Sequence, residues 1–210
     1  MIETMLISTL VLLAGPRAMP CGWAGTPLED LIPVRLRRPA PPGSEGAAIA
    51  RAGFRLSLAP EGERSAITRL LPGREANREL WPILPAMDWL APTLGGKPQA
   101  EALALVPQEL ADRTAGERSP ATPLAPEILP PSASAPAADG EASPSASGAV
   151  ASAGSEARRA VLLTMPFGAG RVIYCGVDGT WRWRYLYGDQ HFARFWGQLV
   201  RWAASERLPV

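Results

Sequence analysis

The sequence predicts an α/β fold that closes with a β-hairpin and a C-terminal helix and contains a disordered segment, which composition alone leaves open as a linker between two domains or a long loop inserted within one. Three stretches predict it. "AVLLTM" (Ala160–Met165) and "RVIYCGV" (Arg171–Val177) are apolar runs of strand length, joined by "PFGAG", whose glycines suit a hairpin. From Asp189 onward, Phe192, Phe195, Trp196, Leu199, Val200 and Ala203 recur at helical spacing and make one broad apolar stripe, with Asp189 placed as N-cap. Between Asp112 and Ala157 the chain is rich in Pro, Ala and Ser and nearly free of aromatics, so it buries too little apolar surface to offset its entropy.

The remaining elements follow in chain order. Leu6–Leu13 is an apolar run ending at Gly15-Pro16, which reads as a buried strand. A cleaved signal peptide is the alternative, although Glu3 precedes the run without any Lys or Arg. At roughly 20 residues for a bilayer span, the run is too short to cross one. "PLEDLIPVRL" predicts a short helical turn and then an extended stretch, and Arg37–Gly46 predicts loop because its prolines block both helix and ladder. "FRLSL" (Phe54–Leu58) alternates with period two, as a half-buried strand does. "GREANRELW" (Gly73–Trp81) predicts a short helix stopped at Pro82, and Ala100–Val106 a further strand.

Composition excludes several functions. A net charge of +1 gives no global attraction for nucleic acid or acidic lipid, and nearly all the cations are Arg, with Lys97 the lone lysine. Cys21 and Cys175 sit in no CxxC spacing and the chain has one His, so neither a zinc site nor any cofactor is expected. Cys175, inside an apolar strand, reads as an inert core thiol. The Gly168/Gly170 pair lies between two strands with no helix following, so it reads as a turn and not as a phosphate loop.

The segment Asp178–Trp202 holds four of the seven tryptophans and the only histidine, His191. Trp181-Arg182-Trp183-Arg184, if extended, would point both tryptophans one way and both arginines the other. Packing beneath the helix and a contact surface for another domain or ligand are both open readings, and nucleic-acid binding is disfavoured for want of a basic stripe. Asp189 and His191, two apart at a helix start, diverge by about 200° and cannot pair. Asp178 could approach His191 across the loop as a weak catalytic pair, or it caps the turn before Trp181. The sequence contains no GxSxG, HExxH or Walker pattern.

"RVIYCGVDGTWRWRYLYGDQHFARFWGQLVRWAASERLP" resembles the end of glutamine amidotransferase-like domains in large bacterial membrane proteins of uncharacterised function. There a "GKGRV" hairpin leads into "TDSTWRWR" and then "GD..H.RFWGQ..RW". "LLAGPRAMPCGWAGTPLEDLIPV" and the stretch from Phe54 to Ala104 are similar to earlier parts of the same domains. The resemblance implies a partial flavodoxin-like, class I amidotransferase-like three-layer sandwich. Residues 1–111 would be its first part, truncated at the N-terminus; 112–157 an insert; and 158–210 its second part, with hairpin, WRWR loop and helix. It also implies family material upstream of Met1, β-sandwich material beyond Pro209, and transmembrane helices elsewhere in full-length relatives.

Active members of the wider superfamily carry a nucleophilic Cys on an elbow after a strand and a later His-Pro-Glu. Here Ala14, Gly15 and Pro16 stand at the comparable strand end, and "GVDGTW" replaces the His-Pro-Glu. The expected function is that of a pseudoenzyme: a non-catalytic interaction or scaffold module, with Trp181, Arg182, Trp183 and Arg184 as its contact surface. Its partner would be a protein or the neighbouring domains of a larger membrane protein. It would be membrane-associated or in the cell envelope by analogy, with a cytoplasmic location as the alternative. The competing readings are a hydrolase or transferase using Asp178 and His191, and a secreted ligand-binding protein.

Overall fold

A computed structural model describes residues 9–16, 19–37, 53–116 and 154–205. The described residues form seven strands: β1 (Thr9–Leu13), β2 (Val34–Leu36), β3 (Ser57–Leu58), β4 (Thr93–Gly96), β5 (Glu101–Leu105), β6 (Ala160–Phe167) and β7 (Gly170–Cys175). Five of them form one sheet in the order β1-β7-β6-β5-β3. β1 runs parallel to β7, and the other three pairings are antiparallel. β2 and β4 form a separate antiparallel pair. The fold is therefore mixed α/β, as the sequence predicts.

The hairpin is tighter than "PFGAG" suggests. Phe167 pairs with Gly170, leaving Gly168 and Ala169 as the turn. Gly168 takes φ of 58°, the left-handed conformation that a two-residue hairpin requires and that a residue with a Cβ resists.

Among the described residues six α-helices accompany the strands: α1 (Pro60–Arg64), α2 (Arg74–Leu80), α3 (Gln108–Gly116), α4 (154–159), α5 (Trp183–Tyr187) and α6 (Gln190–Ala204). α3 thus runs past the composition change at Asp112 to Gly116, and α4 starts at 154, so the described residues at both borders of the low-complexity segment are helical. The expectation of disorder for 117–153 lies outside the described residues, as does the loop expected over 38–46. β5 and β6, on either side of that segment, are hydrogen-bonded neighbours.

Both faces of the sheet are covered, as the alternation along β7 shows. Ile173 and Cys175 join a core containing Ile67, Leu70, Trp81, Met87, Trp183, Phe195 and Leu199. Val172 and Tyr174 join another with Leu12, Leu163, Ile32, Val34 and Leu36. The first is roofed by α6 and the second by the β2–β4 pair and its flanking turns. Burying each large apolar side chain contributes about 1.5–3 kcal/mol, so β7, buried from Val172 to Cys175, supplies the sheet with adhesion on both sides.

β1 departs from its expected burial. Leu12 is buried, but Leu10 and Val11 are 37% exposed and Leu13 is 48% exposed. The apolar run is a strand from Thr9, yet among the described residues it lies at the sheet edge, with one strand beside it instead of two. Residues 6–8 lie outside the described residues.

Two contacts tie the middle of the chain to the sheet. Gly62 in α1 is pressed against β5, where a Cβ would meet the Leu103 carbonyl oxygen at 1.8 Å, so only glycine fits this approach. The buried amide of Asn77 in α2 accepts from the N–H groups of Leu70 (2.7 Å) and Leu71 (3.0 Å) and donates to the Thr68 carbonyl (3.1 Å). Trp81 Nε1 donates to that same carbonyl at 3.1 Å. One amide thereby satisfies an irregular strand of backbone that has no ladder of its own.

Candidate functional site: the Trp181–His191 segment

β7 delivers the chain to Asp178, which occupies the N-cap position of a short 3-10 helix, Gly179–Arg182, without a side-chain capping bond. α5 follows directly. Trp181-Arg182-Trp183-Arg184 is therefore helical, which corrects the extended reading. Gly179 lets the segment turn close to the core, where a Cβ would meet Met87 Sδ at 2.8 Å. Gly188, at φ of 62°, ends α5 before Asp189 and α6.

Helical geometry separates the two tryptophans instead of aligning them. Trp183 is 1% exposed and stands edge-on to Trp81 (5.6 Å) and Phe195 (5.4 Å). It is core. Trp181 is 46% exposed and meets Tyr185, itself 76% exposed, in a T-shaped contact at 5.5 Å. These two are four residues apart, the spacing that places side chains one above the other on a helix.

The arginines frame this pair. Arg182 lies 5.2 Å from the Trp181 ring centre and is ion-paired to Asp88. Arg184 is paired to Asp189 and lies 5.7 Å from the Phe192 ring centre. The Asp189 carboxylate thus engages Arg184, while its backbone carbonyl accepts from Ala193 at 2.7 Å to start α6. Trp181, Arg184, Tyr185, Gly188 and Asp189 line a depression of about 410 Å³.

His191, Phe195 and Leu199 are the buried line of α6, flanked by the half-buried Phe192, Trp196 and Trp202, while Val200 turns outward. The stripe is centred one residue earlier than the apolar letters alone indicate, because the imidazole takes a core position. Burial lowers the His191 pKa from its ordinary value, and the positive charge of Arg194 lowers it further. A carboxylate orienting a catalytic base would act in the opposite direction. Asp178 is exposed whereas His191 is 6% exposed, so these are the surroundings of a core histidine.

That burial has a consequence in pH. His191 is the one histidine in the chain. As pH falls below about 6.5, the unfolded chain takes up a proton that the folded chain resists, so stability declines on acidification and is fully retained above that value. The urea midpoint is expected to drop between neutral and mildly acidic pH, and His191→Gln to flatten the slope. An equal slope in both proteins would assign the loss to other groups.

The end of β1, where the resemblance would place a nucleophile, offers no open anion site. The Ala14 N–H donates to the Cys175 carbonyl (2.8 Å) and the Gly15 N–H to the Met19 carbonyl (3.1 Å), while Pro16 has no N–H. Cys21, in the turn that follows, donates to the Pro92 carbonyl at 3.5 Å. Burial raises its thiol pKa, with Arg37 pulling the other way, so the thiolate is disfavoured. Burial pushes Cys175 up to about 11. Among the described residues no group of three His, Cys, Asp or Glu side chains is placed to hold a metal ion.

Sequence reasoning missed Tyr185 and Asp88. A test of helical spacing around Trp181 would have found Tyr185; nothing in the sequence marks Asp88, which is brought in by tertiary folding. The chain matches no protein-family model, no curated protein and no solved structure.

Proposed function

We propose that this chain is a non-catalytic, glutamine amidotransferase-like module that binds a protein partner through the Trp181–Tyr185 surface. The observation that carries the reading is the exposed aromatic pair, which lines a depression together with Arg184 and has Arg182 beside the Trp181 ring. Two large rings held in water at one place, with arginines beside them, have the composition of interface hot spots. The raised thiol pKa values of Cys21 and Cys175 and the engaged N–H groups at the end of β1 support the non-catalytic half of the reading. The finer assignment, a partial flavodoxin-like three-layer sandwich of a bacterial membrane-associated protein, belongs to the same proposal. Its support is the TWRWR and RFWGQ motifs and a sheet covered on both faces. Among the described residues no helix is long and apolar enough to cross a membrane.

The test is quantitative capture of partners from solubilised cells of the source organism, using the full chain and its Trp181→Ala/Tyr185→Ala variant. A captured protein is expected to bind the variant roughly 30-fold more weakly or worse, with the unfolding midpoint unchanged. Partners retained at equal strength by the variant would overturn the reading.

A further inference from the structure

The feature that carries an inference independent of the Trp181 surface is the outer edge of β1. Among the described residues this strand is paired on one side only, to β7. Edge strands in soluble proteins usually carry a charge, a proline or a bulge that prevents further pairing. Thr9-Leu10-Val11-Leu12-Leu13 carries none of these and leaves Leu10, Val11 and Leu13 exposed.

The ladder fixes which backbone groups face outward. The Ala14 N–H points to β7, where it bonds the Cys175 carbonyl. Since alternate residues of a strand address opposite sides, Leu10 and Leu12 also bond inward, and Thr9, Val11 and Leu13 present their N–H and C=O groups outward. These three are disposed symmetrically about Val11. A second β1 laid antiparallel with its two-fold axis at Val11 would match Val11 with Val11 and Thr9 with Leu13, each as a mutually bonded pair. Roughly six backbone hydrogen bonds form and no charge meets a charge. Leu10, Val11 and Leu13 would gain cover in the same step. The edge is complementary to itself, both in its donors and acceptors and in its side chains.

We propose that β1 is the seat of a homodimer in which two copies of this chain join antiparallel at Val11, making one continuous ten-stranded sheet. Such an interface is isologous and closed, so it stops at two copies.

The experiment is sedimentation of the full chain across a micromolar concentration series, beside Val11→Lys. The Val11 side chain is part-exposed and its N–H faces outward, so lysine is tolerated by the fold but sets two like charges opposite each other in the dimer. The wild type is expected to reach the dimer and Val11→Lys to stay monomeric with an unchanged unfolding midpoint. A second arm reads the register: in a Cys21→Ser background, Val11→Cys is expected to form a disulfide dimer, because bonded antiparallel pairs hold their Cα atoms about 5.5 Å apart. Leu13→Cys, more exposed but far from its own mate, is expected not to. A wild type that stays monomeric, a Val11→Lys protein that still dimerises, or Leu13→Cys crosslinking as well as Val11→Cys would each overturn the proposal.

Discussion

Trp183→Ala is expected to destabilise the protein by about 3–5 kcal/mol, enough to unfold a domain of ordinary stability. The indole is 1% exposed and fills the junction of α5, α6 and the turn that carries Trp81, touching Trp81 and Phe195 edge-on. Removing it leaves a hole that three separate elements would have to collapse together to close. Trp181→Ala, two residues away on a half-exposed ring, is expected to change stability by about 0.5 kcal/mol or less. Guanidinium unfolding of the two single variants checks the contrast. Equal losses would mean that the two rings share one environment, which their exposures deny.

Asn77→Ala is expected to cost about 2–3 kcal/mol, a large effect for so small a deletion. The alanine leaves the Leu71 N–H without its acceptor, takes from the Leu70 N–H the shorter of its two acceptors, and removes one donor from the Thr68 carbonyl, which keeps Trp81 Nε1. Each buried group so stranded costs about 1–3 kcal/mol. Asn77→Asp keeps an acceptor for both N–H groups and loses only the donor to Thr68, so its loss at neutral pH should be the smaller. Amide exchange at Leu70 and Leu71 localises the effect: both should speed up in Asn77→Ala by more than the global loss of stability explains.

The extended stretch Phe54–Leu58 was legible because period-two burial is a property of the pleat, whatever lies next to it. Phe54, Leu56 and Leu58 are buried although only Ser57–Leu58 is hydrogen-bonded as a strand. The burial of β1 was not legible, because an apolar strand reads the same at an edge as in a centre; its neighbours decide, and they are distant in sequence. In the candidate site the alternation Trp-Arg-Trp-Arg fits a strand by pattern, yet the turn at Gly179 against Met87 starts a helix there. The helix sends one indole into the core and the other toward Tyr185. α3 and α4 were hidden by an Ala-, Ser- and Gly-rich composition that suits a helix end as readily as a linker. His191 shows the opposite limit: its place on α6 was evident, but the neighbourhood that shifts its titration was not.

The antiparallel pairing of β5 with β6 places the two ends of the intervening chain side by side, and the α3 and α4 helices that leave them are tied together by Ser155 Oγ donating to Gln108 Oε1 at 2.9 Å. A connection whose ends are already clasped is under almost no metric constraint. Doubling its length costs only about 0.6 kcal/mol in closure entropy. The sheet therefore carries a tolerant docking port for foreign sequence, where evolution can lengthen, shorten or rewrite residues 117–153, or an experimenter can splice in a reporter, while the strands on either side keep their register.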